Sequence, residues 1–444
     1  MPDAPQLLHQ IPDLDVITAP AQLAKLSLDY FHFSPILEPQ LREKRADVVV
    51  RPTTEPQFYQ IAAIARQTQT PITVRGSGTG NYGQCIPLQG GIIVDLSNYN
   101  EILWIHDGIA RVQAGVKLAE LERQSRPMGW EWRMVPSTVR SATIGGFIAG
   151  GSGGIGSVRY GQLRDRGNLH AVKVLTLEEE PRIMELRGYD AVQQVVHAYG
   201  TNGIILELEV PLAPAITWLE WVVSFADFWH AVHFAQTLGK SDGIQTRLIS
   251  VHADPIPTFF TPLRSHLSPG HAAVLLILAV SDQEAVIDLI EQFGGWCSFT
   301  QTAPAPGKGG SLMEFSWNHT TLHARSADAQ WTYLQSLFPA DPEFRVMRQM
   351  AEMFGDEVPL HLEFIRQNGT LIPAAIQLVR FTTGDRLQEI IAIHEAHGVL
   401  IANPHTYLLE AGGMKTVDRA QLQFKRLVDP QGLMNPGKMA AWND

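Results

Sequence analysis

The sequence predicts an α+β protein of two or three domains, on three observations. Its first half reads as β-α-β running into a glycine loop and then further strands. From Gly145 to Gly161 it places eight glycines in seventeen residues. After Pro211 and Pro214 the texture changes to alternating strands and helices, with Trp218, Trp221 and Trp229 close together. At 444 residues the chain also exceeds what one hydrophobic core usually serves.

Taken in order, a polar, proline-bearing leader precedes a strand at Ala46 to Val50, and helical spacing of Phe58, Ile61, Ile64 and Ala65 predicts a helix over Pro56 to Thr68. Ile72 to Arg75 is the next strand and runs directly into Gly76-Ser77-Gly78-Thr79-Gly80-Asn81-Tyr82-Gly83. Gly91 to Asp95 and Ile109 to Gln113 follow as strands, and Lys117 to Gln124 as a short helix. Pro136 to Tyr160 reads as a long, largely irregular stretch, too apolar at Ile144, Phe147 and Ile148 to be disordered. Ala171 to Leu177 and the alternating Ile204 to Val210 are strands, and Pro211 and Pro214 mark a boundary. Beyond it, strands at Thr246 to Val251 and Ala272 to Val280 alternate with helices at Phe225 to Leu238 and Gln283 to Phe293. A last helix at Val417 to Val428 leads into Asp429 to Lys438, a compact turn that must be tied down to be ordered.

A formal charge of −11 and the lack of Lys/Arg clusters exclude a nucleic-acid partner. Cys85 and Cys297 have no metal or redox spacing, so neither a disulfide nor a CxxC site is expected, which fits a reducing compartment. Cys85 is expected to be a small buried apolar residue. The amino terminus has no signal-like charge and apolar pattern, and the apolar run Ala272 to Val280 is too short to span a bilayer. A cytoplasmic protein with no transmembrane segment is therefore expected.

The glycines need a physical reason, because glycine gives up the most backbone freedom on folding. G-x-G-x-x-G occurs at Gly78/Gly80/Gly83 and at Gly151/Gly153/Gly156, but a dinucleotide fingerprint must follow a strand and open a helix. Pro87 spoils a helix after the first copy, and the second has neither flank. The better reading is a pair of loops whose main-chain N–H groups converge on phosphate oxygens as an anion nest, which suits an acidic protein because it needs no lysine.

The residues that carry a family likeness are Pro71 to Gly80, Gly91 to Ser97, Val112 to Val116, Pro136-Ser137, Ala142 to Gly146, Tyr160-Gly161, Gly200 to Ile205 and Asp429 to Lys438. In this order they resemble the FAD-linked oxidases and dehydrogenases of the vanillyl-alcohol oxidase type, the PCMH-type flavoproteins. The likeness covers about residues 45 to 215 and the last twenty. It implies a leader at 1–44, an FAD-binding domain at 45–214, an inserted α+β cap over the substrate at 215–415, and a segment at 416–444 returning to the FAD domain. It further implies that the amides of Gly76, Ser77, Gly78, Thr79, Gly80 and Asn81 hold the pyrophosphate, with Thr143, Gly145 and Gly146 opposite. Tyr160, Gly161, Gly203 and Ile204 would line the cofactor further along, and Arg75, Pro136, Ser137 and Asn435 complete the set. Relatives that tether flavin carry His or Cys where this chain has Thr79 and Gly153-Gly154, so FAD is expected to be noncovalent.

Flavin carries the redox chemistry, so the protein must supply orientation, a base and control over water. Histidine is the natural base, with an ordinary pKa near neutrality. Two are singled out: His319 in a polar cluster running from Phe315 to His323, and His405 in Asn403 to Tyr407. Asn318 and Tyr407 are their companions as ring or substrate contacts, and Arg345, Arg348 and Arg380 are the candidate forks for a substrate carboxylate. His394 and His397 are one turn apart without a third ligand, and read as a solvated helix face with no metal. The expected activity is oxidation of a small alcohol or 2-hydroxy acid by hydride transfer to flavin, with oxygen, a protein or a quinone as acceptor. Sugar or lactone oxidation, and a non-catalytic flavin-binding assembly subunit, are the alternatives.

Overall fold

Three sheets organise the chain, seen in a computed structural model that describes residues 3–151, 153–412 and 419–442. The first has the order Asp15–Ile17, Val48–Arg51, Ile92–Asp95, Ile72–Arg75. Its last three strands are parallel and its first is antiparallel. Val48, Val50, Ile72, Ile92 and Val94 are buried short apolar runs, as strands covered on both faces must be. The helix Glu55–Gln67 covers them. Thr54 and Gln57 form a reciprocal capping box at its start, Pro56 sits in its first turn, and Phe58, Ile61, Ala62 and Ala65 face the core.

A six-stranded antiparallel sheet follows, in the order Ile102–His106, Ile109–Gln113, Ile204–Pro214, Ala171–Leu175, Ile183–Arg187, with Trp130–Trp132 paired to the far end of Ile204–Pro214. The alternation read at Ile204 to Val210 has its reason here. Glu207 and Glu209 point to a charged face, where Arg111 meets them at 2.6 and 2.8 Å and Lys173 meets Glu207 at 2.9 Å. The prolines do not end this strand. Pro211 closes the pairing with Ile109, and Leu212 to Pro214 then pair with Trp130–Trp132, so the chain changes partner without leaving the sheet.

The third sheet has eight antiparallel strands, ordered Trp296–Thr302, Trp218–Phe225, Ala272–Ala279, Thr246–His252, His361–Gln367, Thr370–Arg380, Trp331–Leu337, Leu400–Ala402. The helices Phe228–Lys240 and Gln283–Gln292 pack on it through Val232, Phe234, Leu238, Val286 and Ile290.

Two features refine the sequence reading and position the site. The stretch from Pro136 to Tyr160 is irregular over more than half its length but not throughout: it contains the helix Ile144–Gly150 and a turn of helix at Ser157–Tyr160. Ile144, Phe147 and Ile148 lie on one buried face, and the Thr143 hydroxyl accepts from Gly146 N at 3.4 Å to cap the start. The leader is packed against the rest over its described residues, 3–44, since Ala4, Leu8 and Ile11 join the main core and Asp15–Ile17 joins the first sheet. Of the expected last helix, Arg419–Val428 is present, and residues 417 and 418 lie outside the described residues, as does the expected boundary at 415/416.

Candidate active site

A cavity of about 610 Å³ lies between the two glycine stretches and the segment Glu314–His323, which connects the strands Trp296–Thr302 and Trp331–Leu337 of the eight-stranded sheet. One wall is Gly76 to Asn81, which leaves the carboxyl end of Ile72–Arg75. A Cβ on Gly76 would sit 2.1 Å from Thr143 Oγ1, and one on Gly80 2.1 Å from Gln84 Oε1. Gly78 has φ +65° and rests on the Arg75 guanidinium, where a Cβ would meet Nη2 at 2.1 Å. At each of the three a Cβ would force the supporting side chain to move, and at Gly78 the positive φ favours glycine as well.

The opposite wall is Pro136 to Ser141 and Thr143 to Gly151. Gly145 packs directly on Ala114, whose oxygen accepts from Gly145 N at 2.9 Å. Gly203 continues this side, beside His197 and Tyr199. The residues expected to hold cofactor that meet in this one cavity are therefore Gly76, Ser77, Gly78, Thr79, Gly80, Asn81, Pro136, Ser137, Thr143, Gly145, Gly146 and Gly203.

Others are placed elsewhere. Arg75 turns away from the cavity, donating to Leu28 O at 2.6 Å beneath the loop. The Tyr160 ring lies between the Arg133 and Arg159 guanidiniums, 5.5 and 5.3 Å from them. Gly161 faces Asp165, and Ile204 is buried in its sheet. Asn435 reaches the site through its neighbours, donating to Gln84 O at 2.7 Å and to Tyr199 O at 2.6 Å.

At the cap end, the segment Glu314–His323 brings Glu314, Trp317, Asn318, His319 and His323 to the cavity wall. Burial pushes the His319 pKa down to about 4, helped by the neighbouring His323 and opposed by a hydrogen bond to the Glu314 main chain. His323 is also lowered, by burial first, and its Nε2 donates to Glu314 O at 2.9 Å while its ring stacks on Phe315 at 4.7 Å. Both rings are neutral at pH 7. Arg140 lines the same wall with its Nε 3.2 Å from Glu314 Oε1, and its side chain is 56% exposed, so it can swing toward a ligand.

His405 and Tyr407 do not reach the cavity. His405 is buried, with Nδ1 2.8 Å from Ser34 Oγ and Nε2 donating to Tyr333 O at 3.0 Å, so both nitrogens are committed to joining the amino-terminal segment to the cap sheet. Tyr407 covers the Lys438 ammonium, 5.0 Å from its ring. The arginine candidates are also elsewhere. Arg345 pairs with Asp341 at 3.0 Å, Arg348 covers Trp229 at 4.1 Å, and Arg380 pairs with Asp328 at 3.3 Å. His394 is core rather than solvated face, stacked on Phe354 at 5.2 Å with Nδ1 donating to Ile390 O at 2.8 Å.

Sequence reasoning passed over Tyr30, Phe33, Tyr82, Arg140, Trp317, His323 and Gln335, all on the cavity wall. His323 had a usable signal, because it follows His319 by four residues and shares its helix face. The rest depend on contacts between distant segments. Cys85 also lines the cavity, with its thiol pushed up to about 11 by burial.

Whether this cavity suits a flavin dinucleotide can be judged from its walls. Glycine brings bare main chain to the surface on two sides, as an anion nest requires. Trp317 and Asn318 stand on its wall as well, and Trp317 Nε1 is a buried donor with no protein partner. The walls fit. Residues 46–181 match the family model described as FAD binding domain. The chain carries a PCMH-type FAD-binding domain. Its cofactor is FAD. An uncharacterized FAD-linked oxidoreductase of Mycobacterium tuberculosis is 28% identical over 207 residues, 45% of this chain and 44% of that protein. The glycolate oxidase subunit GlcD of Bacillus subtilis is 31% identical over 176 residues, 38% of this chain and 37% of that one. The matched region thus spans less than half the length of these curated relatives. Among solved structures, an alkyldihydroxyacetonephosphate synthase superposes with TM-score 0.74 at 16% identity, covering 98% of this chain and 85% of that one. At that identity the likeness is one of fold, and it extends the PCMH-type architecture over the whole chain.

Proposed function

We propose that this chain is an FAD-dependent oxidoreductase that oxidises a small 2-hydroxy acid, with FAD held noncovalently. The observation that carries the reading is the meeting, in one cavity, of the glycine cradle with two histidines and a half-exposed arginine: His319, His323 and Arg140. FAD, when bound, accepts the hydride equivalent from the carbon that bears the hydroxyl. The chain's residues do the rest. Arg140 leaves Glu314 to take the substrate carboxylate by its fork. His319 accepts the hydroxyl proton. Its pKa of about 4 makes it a weak base in the free protein, and an arriving carboxylate raises it toward the working range by favouring the charged ring. Phe315, Leu322 and Pro262 line this end with apolar surface that keeps water out.

Noncovalent attachment is supported by the residues nearest the cradle. Thr79 offers an un-ionised hydroxyl rather than an imidazole or thiol, Gly153 has no side chain, and the Cys85 thiol, at about 11, is almost wholly protonated at neutral pH. The 2-hydroxy-acid class is supported by the partial likeness to a glycolate oxidase subunit.

The test begins with the visible spectrum of purified protein and the fate of its colour on acid precipitation. Soluble FAD in the supernatant, with bleaching of the holoprotein by D-lactate or glycolate under anaerobic conditions, is the expected result. His319→Asn should slow that bleaching by about 10²–10⁴-fold while leaving the FAD spectrum in place. A colourless protein that takes up no FAD, or full-rate bleaching in the variant, would overturn the reading.

A further inference from the structure

Trp317 immediately precedes the helix Asn318–Ala327 and holds φ 52° and ψ −140°. Bulky L-residues rarely adopt such a conformation, and it persists only where the surroundings fix it. What fixes it is a carboxylate from a different element. The Trp317 main-chain N–H donates to Glu363 Oε1 at 2.7 Å, from the strand His361–Gln367. Glu363 is 1% exposed and does not line the cavity. Its Oε1 also takes the Ser250 hydroxyl at 2.8 Å and lies 2.9 Å from His361 Nε2. His252 stacks on His361 at 4.4 Å and reaches Thr320 Oγ1 at 3.3 Å. Strands Thr246–His252 and His361–Gln367 thus grip the start of this helix at two points, the Trp317 N–H and the Thr320 hydroxyl.

The gripped turn carries Trp317 and Asn318, two residues that line the cavity, and Trp317 Nε1 is buried with no protein partner. A turn built for stability alone would have no use for a strained tryptophan, a buried carboxylate and an unsatisfied indole N–H together. We infer that Glu363 is a positioning residue: by holding the Trp317 N–H it fixes the strained turn, so that the Trp317 ring and Asn318 are presented to the ligand in one conformation. The inference rests on the cavity being the ligand site and is independent of the substrate's identity.

The test is fluorine NMR of protein labelled with 5-fluorotryptophan, in which ten tryptophans give ten lines and Trp317→Phe identifies the one that matters. In the wild type that line should be single and narrow. It should move when FAD is added to apoprotein, or when D-lactate is added to holoprotein. In Glu363→Ala it should split, or broaden at least about twofold, while the lines of the remote, exposed Trp104 and Trp296 stay unchanged. Glu363→Gln keeps an acceptor for the Trp317 N–H and should restore the narrow line, which a general loss of packing would not predict. If Glu363→Ala does not fold, Glu363→Asp withdraws the carboxylate by one methylene and should broaden the same line. A Trp317 line unaffected in the folded Ala or Asp variant, or one that moves with neither ligand, overturns the inference. Because no turnover is measured, its failure is distinct from failure of the proposed activity.

Discussion

The side-chain amide of Asn435 donates to the main-chain oxygen of Tyr199 at 2.6 Å, across 236 residues of sequence. The same amide donates to Gln84 O, and Gln84 and Tyr199 belong to different walls of the cavity. Nearby, the Ile72 N–H donates to Leu433 O at 2.8 Å, the Asn435 N–H donates to Ile72 O at 2.7 Å, and Lys438 Nζ donates to Gly83 O at 2.5 Å. The end of the chain is therefore a clasp that holds the first glycine loop against the rest of the site.

Asn435→Gly should lower stability by about 2–4 kcal/mol, because two carbonyls buried behind the amide lose their donor. Asn435→Ala should cost about 1 kcal/mol more, since Asn435 has φ 43° and only glycine adopts that region freely. Thermal melting and FAD titration of the apoprotein check both points. Variants that melt and bind FAD as the wild type does would show that the clasp contributes nothing.

Gly76→Ala tests the close approach of the two glycine stretches. The added methyl meets Thr143 Oγ1 at 2.1 Å, so Thr143 must move and the helix Ile144–Gly150 loses its cap, a change worth about 1 kcal/mol in itself. The FAD dissociation constant should rise at least about tenfold, because both walls shift. Gly243→Ala is the control, for its Cβ meets nothing within 4 Å and it should bind FAD normally. Equal affinity in the two variants would remove Gly76 from the cradle.

Two histidines give the protein a predictable acid sensitivity. Burial holds both His405 and His319 at about 4, below the ordinary value of 6.5. Between those values the unfolded chain binds a proton that the native state refuses, so the stability these two histidines contribute is complete above about pH 6.5 and is lost as the pH falls toward 4. Each histidine contributes at most about 1.4 kcal/mol per pH unit in that window. His405→Gln should flatten the wild-type decline by one histidine's share when unfolding by urea is followed between pH 7 and 5. Parallel curves for wild type and variant would mean that His405 is not buried neutral.

Much of the cofactor half was legible because its signals are local. Val48–Arg51, Ile72–Arg75 and Ile92–Asp95 are short apolar runs bounded by turn residues, and the run Gly76 to Gly83 follows its strand directly. The helix Ile144–Gly150 was hidden by its glycines, although the spacing of Ile144, Phe147 and Ile148 was in plain view: low helix propensity concealed a face that burial rewards. Tyr30 and Phe33 reach the cavity from a segment read as a leader, and no local pattern reports a contact made at such separation. His405 and His323 are chemically the same side chain. What separates a structural pin from a cavity residue is which carbonyl each ring faces, and that is decided by the register of strands far away in sequence.

Arg140 decides between a carboxylate substrate and a neutral one. Among the described residues it is the one guanidinium on the cavity wall, and its Nε lies 3.2 Å from Glu314 Oε1. A charge-assisted hydrogen bond is worth about 1.5–3 kcal/mol, so Arg140→Ala should raise KM for D-lactate or glycolate by about 10–100-fold. The FAD spectrum should be unchanged, because the cradle is built from main chain. Arg140→Lys keeps the charge but loses the fork and should recover only part of the affinity. Glu314→Gln frees the guanidinium from competition and should lower KM, the opposite direction from the alanine variant. Steady-state kinetics on the three proteins separates the cases: a KM that ignores Arg140 while kcat persists would assign the carboxylate elsewhere, or point to a substrate without one, such as a sugar or lactone.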